Sequence, residues 1–337
     1  MTSPAPLCLT QGDPSGIGPD ITLALYGARR DLPFFALADP ELLRRRAAAL
    51  GLAVKIAEVA PELAADVFPD ALPVVPLAAR VAGEPGRPDP ADAPATIESI
   101  ARAVELVHSG RASALVTNPI AKSVLYRAGF AHPGHTEFLG ELARQLYGGA
   151  PRPVMLLWSR ELAVVPATIH VPLARVPALL NTDDLVAIGT IVAEAFRRDF
   201  GLARPRMVFA GLNPHAGEEG ALGREDIEII APAVAHLAAL GHDVRGPLPA
   251  DTMFHAAARA TYDVAICAYH DQALIPIKTL AFDSGVNVTL GLPFIRTSPD
   301  HGTAFAIAGT GAASPTSLTE AVALAARMVR ARTETMA

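Results

Sequence analysis

Residues 6–30 read PLCLTQGDPSGIGPDITLALYGARR: an apolar run, a polar loop rich in glycine and proline, then an amphipathic stretch rich in Ala and Leu. Apolar runs of about four to eight residues bounded by turn residues mark buried strands, and a strand feeding a helix through a short loop is half of a βαβ unit. The same order recurs along the chain. Strands are predicted at 6–11, 34–38, 114–117, 154–158, 162–168, 207–210, 264–268 and 286–290, and helices at 20–30, 40–50, 95–108, 120–128, 137–146, 183–200, 224–240 and 317–332. Such alternation specifies an α/β protein with a substantially parallel sheet. The stretch AGEPGRPDPADAP at 82–94 reads as an exposed connection.

The 337 residues suggest about two domains. With 51% hydrophobic and 18% charged residues, and no uninterrupted apolar run of eighteen or more, the composition argues for a soluble globular protein rather than a disordered or membrane-spanning one. A net charge of −6 offers no basic field for nucleic acid. Two cysteines, Cys8 and Cys267, are too few for a disulfide framework or a cysteine zinc site. The opening MTSPAPLCLT lacks a basic region followed by an apolar one, so no secretory signal is expected and the cytoplasm is the default. Only three of the 28 basic residues are lysines, Lys55, Lys122 and Lys278. A chain that prefers Arg should keep Lys where a compact, titratable ammonium is needed.

Ligands of open α/β sheets bind at the carboxyl ends of strands, and several strands here end in polar loops. The loop at 11–20 matches neither dinucleotide nor P-loop spacing; a tight turn with Pro19 at a helix start and a ligand-facing loop both remain open. Lys122 sits in the first turn of a predicted helix, where a cation opposes the helix dipole. His135 stands at another helix start with Thr136 as a plausible cap. His170, His215 and His270 each follow a predicted strand, and three imidazoles at strand ends of one sheet can converge on a divalent metal. Lys278, Asn287 and Arg296 together would make a pocket for phosphate or carboxylate. Metal-assisted chemistry on a small anion is the class these residues point to.

At these residues the chain resembles the 4-hydroxythreonine-4-phosphate dehydrogenase (PdxA) family, through GDPSGIGPD, TNPIAKSVLYRAGFAHPGHTEFL, LNPHAGEEGALGRED, GPLPADTMF, YHDQALIPIK and GLPFIRTSPDHGTAF. The resemblance implies the isocitrate/isopropylmalate dehydrogenase-like fold, two α/β domains with a cleft between them, with approximate bounds 1–128 plus 296–337 and 129–295. It implies a homodimer with a shared active site and a divalent metal (zinc, magnesium or cobalt) on His170, His215 and His270, the last from the partner subunit. His135, Thr136, Lys278, Asn287 and Arg296 match substrate contacts. The implied reaction oxidises the C3 hydroxyl with NAD or NADP to a β-keto acid, which loses CO2 to leave 3-amino-2-oxopropyl phosphate in pyridoxal phosphate biosynthesis. Lys278, Asp251 and Asp271 are candidates for the general base, and Gly302, Thr303 and Ala304 for cofactor contact. Where the family often reads HGTAFDIAGKG, this chain has Ala306 and Thr310 in place of the carboxylate and the lysine, which leaves the NAD or NADP preference open. A paralogue acting on threonate or erythronate 4-phosphate is the closest alternative, and a phosphate acyltransferase of related fold is the alternative from another class.

Overall fold

The computed structural model describes residues 5–29 and 31–336. Part of the N-terminal stretch read for a leader, and the expected last residue of the first helix, Arg30, lie outside them.

In chain order the strands are β1 (Leu7–Thr10), β2 (Phe34–Ala38), β3 (Ile56–Glu58), β4 (Leu72–Pro76), β5 (Leu115–Val116) and β6 (Val154–Trp158). They continue as β7 (Ala163–Pro166), β8 (Arg206–Ala210), β9 (Asp243–Leu248), β10 (Val264–Cys267), β11 (Val286–Leu290) and β12 (Arg296–Pro299). The chain divides into two compact units, the first running to Pro153 and resuming over Leu292–Arg330, the second spanning Val154–Gly291 and taking the end of the C-terminal helix from Ala331. The α/β class read from the alternation is the class observed.

In the first unit the strand order is β3-β4-β2-β1-β5-β12, parallel throughout. Phe35, Leu37, Val75 and Leu115 pack there with Ile100 and Val104 of the helix Ala93–His108. Phe138, Leu139 and Ala143 of the helix His135–Tyr147 belong to the same core. Residues 129–153 are therefore held by the apolar contacts of the first unit, so its changeover falls at 153 where the sequence reading places it at 128.

In the second unit the order is β11-β6-β7-β10-β8-β9, with β6 antiparallel to both neighbours and the other pairs parallel. Its core holds Leu157, Val164, Val208, Cys267, Leu274 and Ile277. Ile266 of β10 lies opposite Val165 of β7 on one side and Phe209 of β8 on the other. The carboxyl ends of these three adjacent strands are thus nearly level, and each leads within a few residues to one of the histidines singled out above.

Candidate functional site

In the second unit, His170 follows β7 and His270 opens the helix His270–Ala281 directly after β10. Both segments are tied to the sheet ends: Thr168 N and Oγ1 donate to Ala268 O at 3.2 and 2.8 Å. Gln272 bridges further, its Oε1 accepting from Ala268 N and its Nε2 donating to Gly211 O, both at 2.7 Å. The rings of His170 and His270 stand 5.6 Å apart, centroid to centroid. His270 Nδ1 lies 2.7 Å from Asp271 Oδ1, a contact that fixes the ring and leaves Nε2 to face a ligand. Two imidazoles so placed, one backed by a carboxylate, fit a divalent cation. Among the described residues, however, no group of three or more His, Cys, Asp or Glu side chains within the chain is arranged to hold a metal ion. The resemblance draws His270 from a partner subunit; here it stands beside His170 of its own chain.

His215 lies in the loop after β8, and this loop is the least ordinary backbone in the molecule. Five consecutive residues take left-handed φ: His215 at 51°, Ala216 at 53°, Gly217 at 84°, Glu218 at 44° and Glu219 at 55°. Such a conformation costs an L-residue about 1–2 kcal/mol and persists only where surroundings enforce it. Nothing in the local sequence pattern announces the turn beyond four glycines, Gly211, Gly217, Gly220 and Gly223, in thirteen residues.

In the first unit a second group forms at the head of the helix His135–Tyr147. Gly134 is its cap, in extended conformation with no side-chain hydrogen bond. The cap assigned to Thr136 is therefore corrected: the helix begins at His135, one residue before it, so Thr136 already lies inside the first turn. A Cβ on Gly134 would lie 3.0 Å from Lys122 Nζ and 2.8 Å from Glu137 Oε2. Arg296, at the start of β12, is buried, and its Nε and Nη2 donate to Thr117 Oγ1 at 3.1 and 2.7 Å. Burial pushes its guanidinium down to about 10, which still leaves it charged at neutral pH. His135 is held well below its ordinary pKa by burial, then by the charges of Arg296 and Lys122. Its Nε2 is buried without a hydrogen-bond partner. Two cations, a neutral imidazole with an unsatisfied nitrogen and a helix N-terminus form an anion receptor. Lys122 and Thr117 join the residues assigned to substrate from sequence; Lys122 was signalled by its rarity and its place at a helix start, and both lie in the block TNPIAK that carries the family resemblance.

Lys278 is half-buried on the helix His270–Ala281, its Nζ 5.7 Å from the Phe282 ring centroid, and Asn287 lies on β11 opposite Leu157. Asp251 is exposed in the turn Ala250–Thr252, and Asp271 is exposed beside His270.

The segment carrying Gly302, Thr303 and Ala304 packs on the loop at 11–20. Ile17 N donates to Thr303 O at 3.0 Å, and Gly16 has no room for a Cβ, which would sit 2.9 Å from that oxygen. Ala304 is left-handed at φ 43°. Gly302 and Ala304 are exposed, and the neighbouring His301 Nε2 is buried and unpartnered. An orphaned nitrogen beside exposed backbone fits a polar ligand such as a dinucleotide. The loop at 11–20 itself is buried throughout. Buried Arg46 donates to Gly16 O, Pro14 O and Asp20 Oδ1, and Asp20 Oδ2 accepts from Gly309 N at 2.6 Å. The expected turn with Pro19 in the first helical turn is observed, and Gln11 Nε2 of the same loop is buried without a hydrogen-bond partner among the described residues.

Among the described residues no single helix is long and apolar enough to cross a membrane. Both cysteines are free and buried, and burial raises their thiol pKa.

The sequence model of the family described as "Pyridoxal phosphate biosynthetic protein PdxA" matches residues 30–325. A 4-hydroxythreonine-4-phosphate dehydrogenase from Xanthobacter autotrophicus is 60% identical over 334 residues, 98% of this chain and 95% of the relative. One from Caulobacter vibrioides is 52% identical over 98% of this chain and 99% of its own. Among solved structures, a 4-hydroxythreonine-4-phosphate dehydrogenase from Klebsiella pneumoniae superposes with TM-score 0.85 at 35% identity, covering 97% of this chain and 99% of that one.

Proposed function

The chain belongs to the PdxA family, and from that premise we propose that it is an NAD(P)-linked 4-hydroxythreonine-4-phosphate dehydrogenase of pyridoxal phosphate biosynthesis, acting in the cytoplasm. The observation that carries the reading within this molecule is the anion receptor at the head of the helix His135–Tyr147, where His135 meets the charges of Arg296 and Lys122.

In this reading the substrate's anionic end is held by Arg296, Thr136 and His135. The guanidinium supplies fixed charge, and the neutral imidazole supplies a hydrogen bond at its otherwise unsatisfied Nε2. Lys278 and Asn287 are further substrate contacts. Fixing the anion at these residues orients the C3 carbon, from which the hydride leaves, and its hydroxyl, which gives up the proton. The hydroxyl proton passes to Lys278 Nζ or to a carboxylate of Asp251 or Asp271. Gly302, Thr303 and Ala304 would hold the dinucleotide, which when bound supplies the hydride acceptor, and Ala306 and Thr310 leave both NAD and NADP as candidates.

A divalent cation (zinc, magnesium or cobalt) would be held by His170, His215 and His270, and when bound it supplies Lewis acidity that favours loss of the hydroxyl proton and, later, of CO2. Among the described residues His170 stands beside His270 of its own chain and no group of three ligands forms; a homodimer with a shared active site belongs to this reading through the family alone. Ile275 and, seven residues on at the end of the helix His270–Ala281, Phe282 are 64 and 74% exposed, apolar side chains on one helix face of the kind that a homodimer covers.

Steady-state kinetics on 4-phosphooxy-L-threonine and on D-threonate 4-phosphate tests the assignment. Faster turnover of the first is expected; faster turnover of the second would reassign the enzyme to the sugar-acid phosphates.

A further inference from the structure

The loop that leads into the left-handed turn of His215 is held by a buried carboxyl group. Asp226 opens the single π turn, Asp226–Ile230, that precedes the helix Ala231–Ala239, and its side chain is fully buried. Its Oδ1 accepts from Leu212 N at 2.7 Å, and its Oδ2 accepts from Asn213 N and Asn213 Nδ2, both at 3.1 Å. Among the described residues no cation pairs with this carboxylate, so N–H dipoles of the loop are what satisfies it. A buried charge in that position binds its donors strongly, because leaving either side unpaired is costly.

The surrounding glycines show how closely the turn is wrapped on the carboxylate. A Cβ at Gly211 would lie 2.9 Å from Asp226 Oδ1 and 2.8 Å from Ala216 Cα, and one at Gly217 would lie 3.3 Å from Asp226 Oδ2. The turn closes on itself through Ala216 N to Asn213 O, Ala221 N to Glu218 O and Leu222 N to Gly217 O, each at 3.0 Å. Glu225 adds a second hold, accepting from Asn213 Nδ2 at 2.8 Å. His215 is exposed at the far side of this assembly. Left-handed backbone at four residues that carry a Cβ is stored strain, and strain of this kind concentrates where geometry matters for function.

We infer that Asp226 is the positioning residue for His215: its buried carboxylate gathers the N–H groups of Leu212 and Asn213, forces 215–219 into the left-handed turn, and so aims the imidazole at the cation. The inference rests on the reading of His215 as a ligand. Outer partners that orient metal ligands are worth about 10–100-fold in affinity, which is the effect expected here.

The experiment titrates metal-free full-length protein with Co2+, by calorimetry and by the visible cobalt spectrum, for wild type, His215→Ala, Asp226→Asn, Asn213→Ala and Tyr262→Phe. Tyr262→Phe is the control for general destabilisation: it deletes a buried bond of the same unit, Tyr262 Oη to Met253 O at 2.7 Å. Asp226→Asn should weaken Co2+ binding by about tenfold or more and alter the cobalt spectrum. Asn213→Ala, which keeps the carboxylate and both backbone donors, should weaken binding less and stands in should Asp226→Asn not fold. Tyr262→Phe should bind as wild type. If His215→Ala binds as wild type, the ligand reading fails. If His215→Ala loses binding while Asp226→Asn or, in its place, Asn213→Ala keeps the wild-type affinity and spectrum, the ligand stands and Asp226 is not its positioning residue.

Discussion

Residues 11–20 and residues 211–220 both follow a parallel strand, both are rich in glycine, and both lead toward a helix. The first is buried along its whole length, with Gly16 O and Pro14 O taken by Arg46 and its helix start tied to Gly309 through Asp20, and of its buried side-chain polar atoms Gln11 Nε2 alone lacks a partner among the described residues. The second exposes His215, Glu218 and Glu219 on a left-handed backbone held from beneath by Asp226. A glycine-rich strand-to-helix loop is therefore ambiguous until its polar atoms are accounted for. Where protein groups consume them the loop is scaffold, and where a strained turn holds a polar side chain in the open it is a place for chemistry.

The strongest way to break this contrast is His215→Ala. If the second loop carries chemistry, turnover falls by about 10³-fold, roughly 4 kcal/mol of transition-state stabilisation, while the protein stays folded. Near-normal turnover with metal retained would make the loop scaffold too. Next comes Arg46→Ala in the first loop, which leaves Asp20 buried without its partner. Loss of one member of a buried pair costs about 3–5 kcal/mol, to be read from urea unfolding. A variant with unchanged stability but lost dinucleotide binding would move the first loop into the cofactor site.

A smaller effect separates the loops by sign. Glu218 is exposed at φ 44°, so Glu218→Gly should stabilise by about 1 kcal/mol, since glycine takes that conformation without steric cost. Gly12→Ala should destabilise instead, because its Cβ would lie 2.7 Å from Asn118 Cβ and Pro119 O. Equal signs in thermal unfolding would remove the distinction.

The weakest effect is a pH dependence at the anion receptor. His135 is held neutral in the fold, so below the ordinary histidine value of about 6.5 the unfolded chain takes up a proton that the folded chain refuses. Its contribution is full above that pH and is lost as pH falls toward the lowered folded value. The slope is at most about 1.4 kcal/mol per pH unit. Urea midpoints on either side of pH 6 should fall less steeply for His135→Gln than for wild type, and identical slopes would mean that His135 is not held neutral by its burial and the cations beside it.

Much of the fold was legible because buried strands are apolar runs, whether parallel as β2 or antiparallel as the pair β6 and β11: these three fall where 34–38, 154–158 and 286–290 place them. β12 was not, since it reads Arg-Thr-Ser-Pro yet is buried at every position; Arg296 bonds Thr117, and Thr297 Oγ1 donates to Ala321 O at 2.9 Å, so hydrogen bonds stand where apolar contacts usually do. β9 contains Gly246 and Pro247, which read as a turn. The helix His270–Ala281 holds Pro276 in its interior and was hidden by it. The histidines were visible because strand ends can be counted along a sequence. Asp226 was not, because a buried carboxylate eleven residues past its histidine looks like any other acidic residue until the turn it holds is seen.

The most direct test of the account is the appearance of reduced-nicotinamide absorbance when protein stripped of metal is given 4-phosphooxy-L-threonine and NAD+ or NADP+, with and without added Co2+, Zn2+ or Mg2+. The account predicts absorbance that appears only after a divalent cation is restored and that His215→Ala fails to produce. Equal rates with and without metal, or no absorbance with any cation and either dinucleotide, would contradict it.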